Sequence, residues 1–176
     1  MIKGKRNQKK ADSEVKTFTV PFALEAIKEN ITITTHSPPK PSKEQIINQA
    51  FKFHSQGNIS EAAKYYQYFI DQGFSDHRVF TNYGVILKNL GKLEEAELSL
   101  LKAIEINPDF ADAYSNLGNI LQDLGKLQEA ENFYRKAIEI NPDFAEAYSN
   151  LGGILRVLNK TIESNECYQK SLNLKP

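Results

Sequence analysis

Few side chains in this sequence are suited to covalent or metal chemistry, and their spacing does not bring them together. His36, His54 and His77 stand apart from one another, and Cys167 is the only cysteine. With no His-Glu-x-x-His segment and no paired cysteines, neither a metal site nor an internal disulfide is expected. Gly91-Lys92 and Gly125-Lys126 are followed by Leu93 and Leu127, where a phosphate-cradling loop needs Ser or Thr. Neighbouring carboxylates such as Glu94 and Glu95 read as solvated helix surface. Neither catalysis nor a cofactor is expected. The spacing that carries information belongs to amides: Asn48, Asn82, Asn116 and Asn150 recur every 34 residues. A carboxamide offers both donors and an acceptor, so it pairs with a peptide group without reading the side chain. Asparagine is a poor mid-helix residue, and this position lies off the apolar stripe, so no stability argument asks for it.

The elements that carry these amides follow from the same period. Residues 103–118 read AIEINPDFADAYSNLG and residues 137–152 read AIEINPDFAEAYSNLG, differing only at Asp112 and Glu146. Extending that register gives units 43–76, 77–110, 111–144 and 145–176, the last two residues short. With each unit numbered from 1, apolar or small residues fall at positions 4, 7, 8, 11 and 14, then at 17, 20, 24, 27 and 28. In the third unit these are Tyr114, Leu117, Gly118, Leu121 and Leu124, then Leu127, Ala130, Tyr134, Ala137 and Ile138. Each set has the spacing of a helix with one apolar stripe. Between the sets stand Gly91, Gly125 or Asn159, residue types that accept the left-handed conformation ending a helix. Pro108 and Pro142 stop the second helix, and Asp109 or Asp143 is expected to cap the next. Ser42 with Gln45, and Asp143 with Glu146, have capping-box spacing.

Each unit is therefore two helices of about 13 residues, roughly 20 Å long. Gly84, Gly118 and Gly152 face Ala96, Ala130 and Ser164, which predicts close approach of the paired helices. A lone pair of helices leaves its far side uncovered, so stability must come from stacking.

The pattern A-x-Y-x-N-L-G-x-x-L…L-x-E-A…Y-x-x-A-I-x-x-N-P resembles the tetratricopeptide repeat. Unit one departs at Ala50, Phe69 and Gly73-Phe74, and unit four at Asn159, Thr161, Ser164 and Ser171. The resemblance implies an all-α fold, a right-handed superhelical α-solenoid of four antiparallel helix pairs. It also implies a function: a scaffold that binds another protein in a concave groove lined by the first helices, at positions 2, 5, 6, 9, 12 and 13. The file of asparagines at position 6 is similar to that in the repeat arrays of O-linked N-acetylglucosamine transferases, where such residues bind the backbone of an extended peptide. The expected peptide-binding residues are Asn48, Asn82, Asn116 and Asn150, with Asn119 at position 9 and Lys88, Gln122 and Arg156 at position 12. The competing reading is that the amides bond to the adjacent unit or to water. A clamp for acidic tails needs cations in several units, and position 5 carries Ile47, Thr81, Ser115 and Ser149. A second functional class is the recognition arm of a larger or separately encoded transferase, glycosyl- or sulfotransferase-like, whose catalytic domain is elsewhere.

Position 19 is also constant, as Glu61, Glu95, Glu129 and Glu163. There a carboxylate meets the positive end of the second helix. Cys167 occupies a slot filled elsewhere by Tyr65, Ser99 and Phe133, which makes it a packing residue.

The remaining residues, 1–42, form a basic leader. Lys plus Arg and Asp plus Glu are 22 each, but the leader holds eight basic and four acidic residues. Net neutrality argues against nucleic acid as a partner. Within the leader, residues 21–31 have a helical pattern with Phe22, Ala23, Ala26 and Ile27 on one side, and residues 37–42 read as a stiff Pro-rich linker. Residues 1–17 read as an unfolded tail or a basic tether for an acidic partner. No apolar run is long enough for a membrane span, and the N-x-S/T sequences at Asn30, Asn58 and Asn159 matter only in a secreted chain. The cytoplasm is the expected location.

Overall fold

The computed structural model describes residues 40–174. The expectations for the leader, and His36 and Asn30 with it, lie outside the described residues.

Eight α-helices follow one another: α1 (Lys43–Ser55), α2 (Ile59–Asp71), α3 (His77–Asn89), α4 (Leu93–Ile106), α5 (Ala111–Asp123), α6 (Leu127–Ile140), α7 (Ala145–Val157) and α8 (Thr161–Leu174). No strand occurs among the described residues. Consecutive helices pack as pairs, α1 on α2 through α7 on α8, and each pair stacks on the next through α2–α3, α4–α5 and α6–α7. The described residues thus form an all-α helical-repeat solenoid. In addition, α3 meets α5 and α5 meets α7, whereas the second helices make no comparable contact with one another. The first helices therefore lie on the shorter, inner side of the stack.

Local signals set the helix ends. Gly125 has φ 74° and Asn159 has φ 61°, the left-handed geometry that lets the chain reverse between paired helices. At α1 the Ser42 side chain accepts from the Gln45 backbone while the Gln45 side chain accepts from the Ser42 N–H, a complete capping box. The expected caps of α5 and α7 are corrected. Phe110 and Phe144 occupy the N-cap positions, without a side-chain cap bond. Asp109 and Asp143 instead donate their backbone N–H to Asn107 Oδ1 and Asn141 Oδ1, each at 3.2 Å. The Asn-Pro turn uses its asparagine as the local acceptor, and the helix begins one residue later than a cap at the aspartate requires.

The core runs the length of the stack as two clusters. One joins Ile46, Ala50, Tyr66, Phe69, Val79 and Ile86; the other joins Leu100, Leu117, Leu121, Tyr134, Leu151 and Leu155; and Tyr83 packs against both. Burying each large side chain stabilises by about 1.5–3 kcal/mol. Gly118 allows the tightest approach: a Cβ there would lie 2.6 Å from Cε1 of Tyr134. The position-24 ring thus packs over the glycine of its own unit.

Candidate functional site

On the inner side of the stack the position-6 asparagines recur on α3, α5 and α7, and Asn48 holds the same repeat position on α1. Asn48 is exposed, and Asn82, Asn116 and Asn150 are half-buried. Their partners differ. Asn82 Nδ2 donates to the Tyr66 hydroxyl of the preceding unit at 3.2 Å. Asn150 Nδ2 donates across the next-but-one junction to Asn119 Oδ1 at 3.1 Å. No side-chain hydrogen bond of Asn48 or Asn116 occurs among the described residues. The alternative reading, amides bridging adjacent units, therefore describes two of the four asparagines. Each still keeps its carbonyl oxygen and one N–H for another partner, because a carboxamide has two donors and two acceptor sites.

Tyrosines at position 24 decide which asparagines are held. Tyr66 and Tyr134 are fully buried rings whose hydroxyls emerge on the inner side, while the same position in unit two is Leu100. Tyr66 accepts from Asn82 and lies 2.9 Å from His54 Nδ1. Tyr134 donates towards Asn119 Oδ1 at 2.7 Å and Gln122 Oε1 at 3.2 Å. Burial raises the Tyr66 phenol above the ordinary tyrosine value against the opposing bond from Asn82. Burial, with the Asp123 and Glu146 charges, raises that of Tyr134. Both hydroxyls stay protonated at neutral pH. Leu100 has no hydroxyl to offer, so Asn116 lacks this anchor.

Position 12 differs along the file as well. Lys88 lies 3.4 Å from Asp123 of the next unit, an ion pair that draws its charge away from a ligand. Gln122 is engaged by Tyr134. Arg156 is exposed and has no ion pair among the described residues. The expected site residues thus form three groups: Asn48, Asn116 and Arg156 free, Asn82 and Asn150 oriented by neighbours, and Asn119, Gln122 and Lys88 engaged in the orienting.

Sequence reasoning missed a second constellation, on the outer side. Glu131 is only 3% exposed. It accepts from Gln128 Nε2 at 2.8 Å, from Arg135 at 2.9 Å and from Lys160 Nζ of the next unit at 2.9 Å. Arg135 also reaches Glu163 at 2.7 Å. Burial works to raise the Glu131 carboxyl, but the bonds from Lys160, Arg135 and Gln128 outweigh it and hold the group below the ordinary carboxylate value. Glu97 and Lys126 form the same bridge one unit earlier, at 3.1 Å. The signal in the sequence was Glu at position 21 with Lys at position 16 of the following unit. All of these are structural contacts, and no group of His, Cys, Asp and Glu fit to hold a metal occurs among the described residues. The Cys167 thiol is half-buried and raised by that burial.

Helix pairs stacked one on the next define a class: a helical-repeat scaffold for interaction with other proteins. Family models of the tetratricopeptide repeat match residues 111–144 and 133–166, and a TPR repeat model matches 84–125. Residues 84–166 thus carry tetratricopeptide repeats. The crystal structure of MamA is 22% identical over 76% of this chain and 78% of that one, with a TM-score of 0.70. YrrB, a TPR protein with an unusual peptide-binding site, is 21% identical over 77% of this chain and 70% of that one, with a TM-score of 0.67. PilF of Pseudomonas aeruginosa is 20% identical over 77% and 62%, with a TM-score of 0.69. At these identities the likeness is one of fold. No curated protein sequence matches the chain. No helix among the described residues is long and apolar enough to cross a membrane.

Proposed function

We propose that the chain binds an extended polypeptide segment along the inner faces of α1, α3, α5 and α7, through the carboxamides of Asn48, Asn82, Asn116 and Asn150. The observation that carries this reading is the free side of each amide. Asn82 and Asn150 spend one N–H on Tyr66 and Asn119, which orients them, and their carbonyl oxygens have no donor among the described residues. Equivalent helices stand roughly 10 Å apart in such stacks, the span of about three extended residues, so every third peptide group meets an asparagine. With Lys88 paired to Asp123, Arg156 is the cation left to prefer an acidic side chain at the unit-four end. The peptide-binding site reported for YrrB agrees with this reading, which favours a freestanding scaffold. The transferase-arm reading rests on the asparagine file alone.

The test uses a panel of fluorescein-labelled, unstructured 15-residue peptides of unrelated sequence. Changing Asn82, Asn116 and Asn150 together to Ala should weaken every peptide that binds by roughly ten- to a thousandfold, at about 0.5–1.5 kcal/mol per bond. Arg156→Ala should weaken only acidic peptides, in a salt-dependent way. If the folded triple variant binds the panel undiminished, or no extended peptide binds the wild type, the reading is wrong.

A further inference from the structure

On the outer face of the second helices, unit two departs from the other three. Position 22 is Lys64, Leu98, Asn132 and Glu166, and position 25 is Gln67, Leu101, Arg135 and Gln169. Leu98 is 68% exposed and Leu101 42%. Leu98 stands beside the loosest junction of the stack, for α2 packs less closely on α3 than α4 on α5 or α6 on α7. The cause lies at position 21. Glu97 and Glu131 hold Lys126 and Lys160 of the following units, but Ala63 offers Lys92 nothing, and Lys92 turns to Glu95 of its own unit at 3.0 Å. Without that bridge the outer side stays open. Two adjoining shallow cavities, about 390 and 280 Å³, share Gln67 and Tyr83 there. α2 supplies one wall with Tyr68 and Ile70, α3 the floor with Phe80 and Tyr83, and α4 the other wall with Leu98.

We propose that this outer groove between units one and two binds an amphipathic helix of a partner protein, its apolar face against Tyr68, Tyr83 and Leu98 and a Lys or Arg meeting Asp71. The polar lining decides for a helix. Gln67 donates one N–H to Asp71 at 2.7 Å and accepts from Tyr83 at 2.6 Å, which leaves it a single N–H to offer, and the walls are helices whose backbone bonds are internal. An extended segment would bury more peptide groups here than that lining can pair, at a desolvation cost, whereas a helix brings its own bonds. Charge decides the rim. Lys64 is paired with Glu61 and Glu95 with Lys92, while Asp71, on the last turn of α2, has only the neutral Gln67 as partner among the described residues. A carboxylate at the negative end of a helix favours an incoming cation. A two-fold pairing with a second copy would set groove against groove and fill neither.

The probe is a fluorescein-labelled 18-residue helix, lactam-stapled, with leucines one turn apart on one face and lysines at one end, titrated against the full chain. It should bind saturably, and the same sequence broken by a central proline should not. Leu98→Asn with Leu101→Arg gives unit two the outer residues of unit three and should weaken binding at least about tenfold. Asp71→Asn should remove most of its salt dependence, and Ala63→Glu should also weaken it by restoring the bridge to Lys92. Matching melting curves confirm that the variants remain folded. The proposal is overturned if the stapled helix fails to bind, if the double variant binds it undiminished, or if the proline-broken peptide binds equally well. Self-association of the wild type that the double variant abolishes would assign the groove to a second copy and overturn it too.

Discussion

At the junction of units three and four, Lys160 reaches back over the outer surface to a buried Glu131; at that of units one and two, the residue in Glu131's place is Ala63 and the surface stays open. On the inner side the same two junctions agree. A buried position-24 tyrosine in each presents its hydroxyl to an amide, Tyr66 to Asn82 directly and Tyr134 to Asn119, which holds Asn150. Inner and outer links thus vary independently: the second junction keeps the outer bridge, Glu97 to Lys126, but has Leu100 in place of the inner tyrosine. Each such contact concerns one pair of neighbouring units and can change alone. A missing outer lock leaves apolar surface and a place to dock; a present one fixes the register of two units.

The largest effect should come from breaking the third junction's lock. Glu131→Ala removes the acceptor shared by Lys160, Arg135 and Gln128. Lys160 and Arg135 are partly exposed and can turn to water, so the cost should be about 2 kcal/mol, near the lower range for buried pairs. Lys92→Ala, at the junction without a lock, should change stability by less than about 0.5 kcal/mol. Urea denaturation followed by circular dichroism measures both. The pH dependence follows from the lowered Glu131 carboxyl. The folded group binds its proton less readily than the unfolded one, so its contribution is complete above the unfolded carboxylate range near about 4.3. It is lost as pH falls through the lower folded value. The stability gap between wild type and Glu131→Gln should therefore close in acid; a constant gap down to the acid limb would contradict the charged lock.

Period and helix ends were legible because they are local. Gly125 and Asn159 mark their turns by backbone geometry alone, and Leu117, Leu121 and Tyr134 mark a stripe within one unit. What escaped depends on how one unit sits on the next. Glu131 and Lys160 are 29 residues apart, a separation that is neither a helical spacing nor the repeat, so the pair shows only once the units are stacked. Asn116 and Asn150 have identical flanking residues, Tyr-Ser before and Leu-Gly after, yet what each bonds depends on position 24 of the preceding unit, Leu100 for one and Tyr134 for the other. The caps of α5 and α7 were misread for a different reason: Asn107 and Asn141 compete with the aspartates as acceptors within the same turn.

An intermediate effect tests whether the two tyrosine links are interchangeable. Unit one carries Ala50 where unit three carries Gly118, and both Ala50 and Tyr66 are fully buried. In unit three a methyl at Gly118 would meet Tyr134 ring atoms at 2.6, 2.8 and 2.9 Å. The ring cannot swing aside without breaking its bonds to Asn119 and Gln122. Gly118→Ala should therefore destabilise by about 1 kcal/mol net, overpacking of about 1–3 kcal/mol set against about 1 kcal/mol of helix propensity. Gly84→Ala, whose new methyl meets Leu100 Cγ at 3.0 Å with no hydroxyl bond at stake, should be close to neutral. Thermal melts compare the two directly, and equal losses would mean that the Tyr134 link does not constrain its ring.

The smallest effect separates the asparagines from one another. Asn116→Ala removes no side-chain hydrogen bond seen among the described residues and replaces a poor helix former with the best one, so stability should stay level or rise by about 0.5 kcal/mol. Asn82→Ala and Asn150→Ala gain the same propensity but lose the bonds to Tyr66 and Asn119, each worth about 0.5–1.5 kcal/mol. They should end level or slightly below the wild type, and below Asn116→Ala in either case. The rank order is the measurement, because each difference is small and the three variants share one chemical change. Peptide binding should rank differently. If the file contacts backbone at every unit, all three variants lose affinity by similar factors although only two lose stability. If instead Asn82 and Asn150 serve only their neighbours, the loss of binding concentrates at Asn116, and the groove is read at the one junction where Leu100 leaves an amide free.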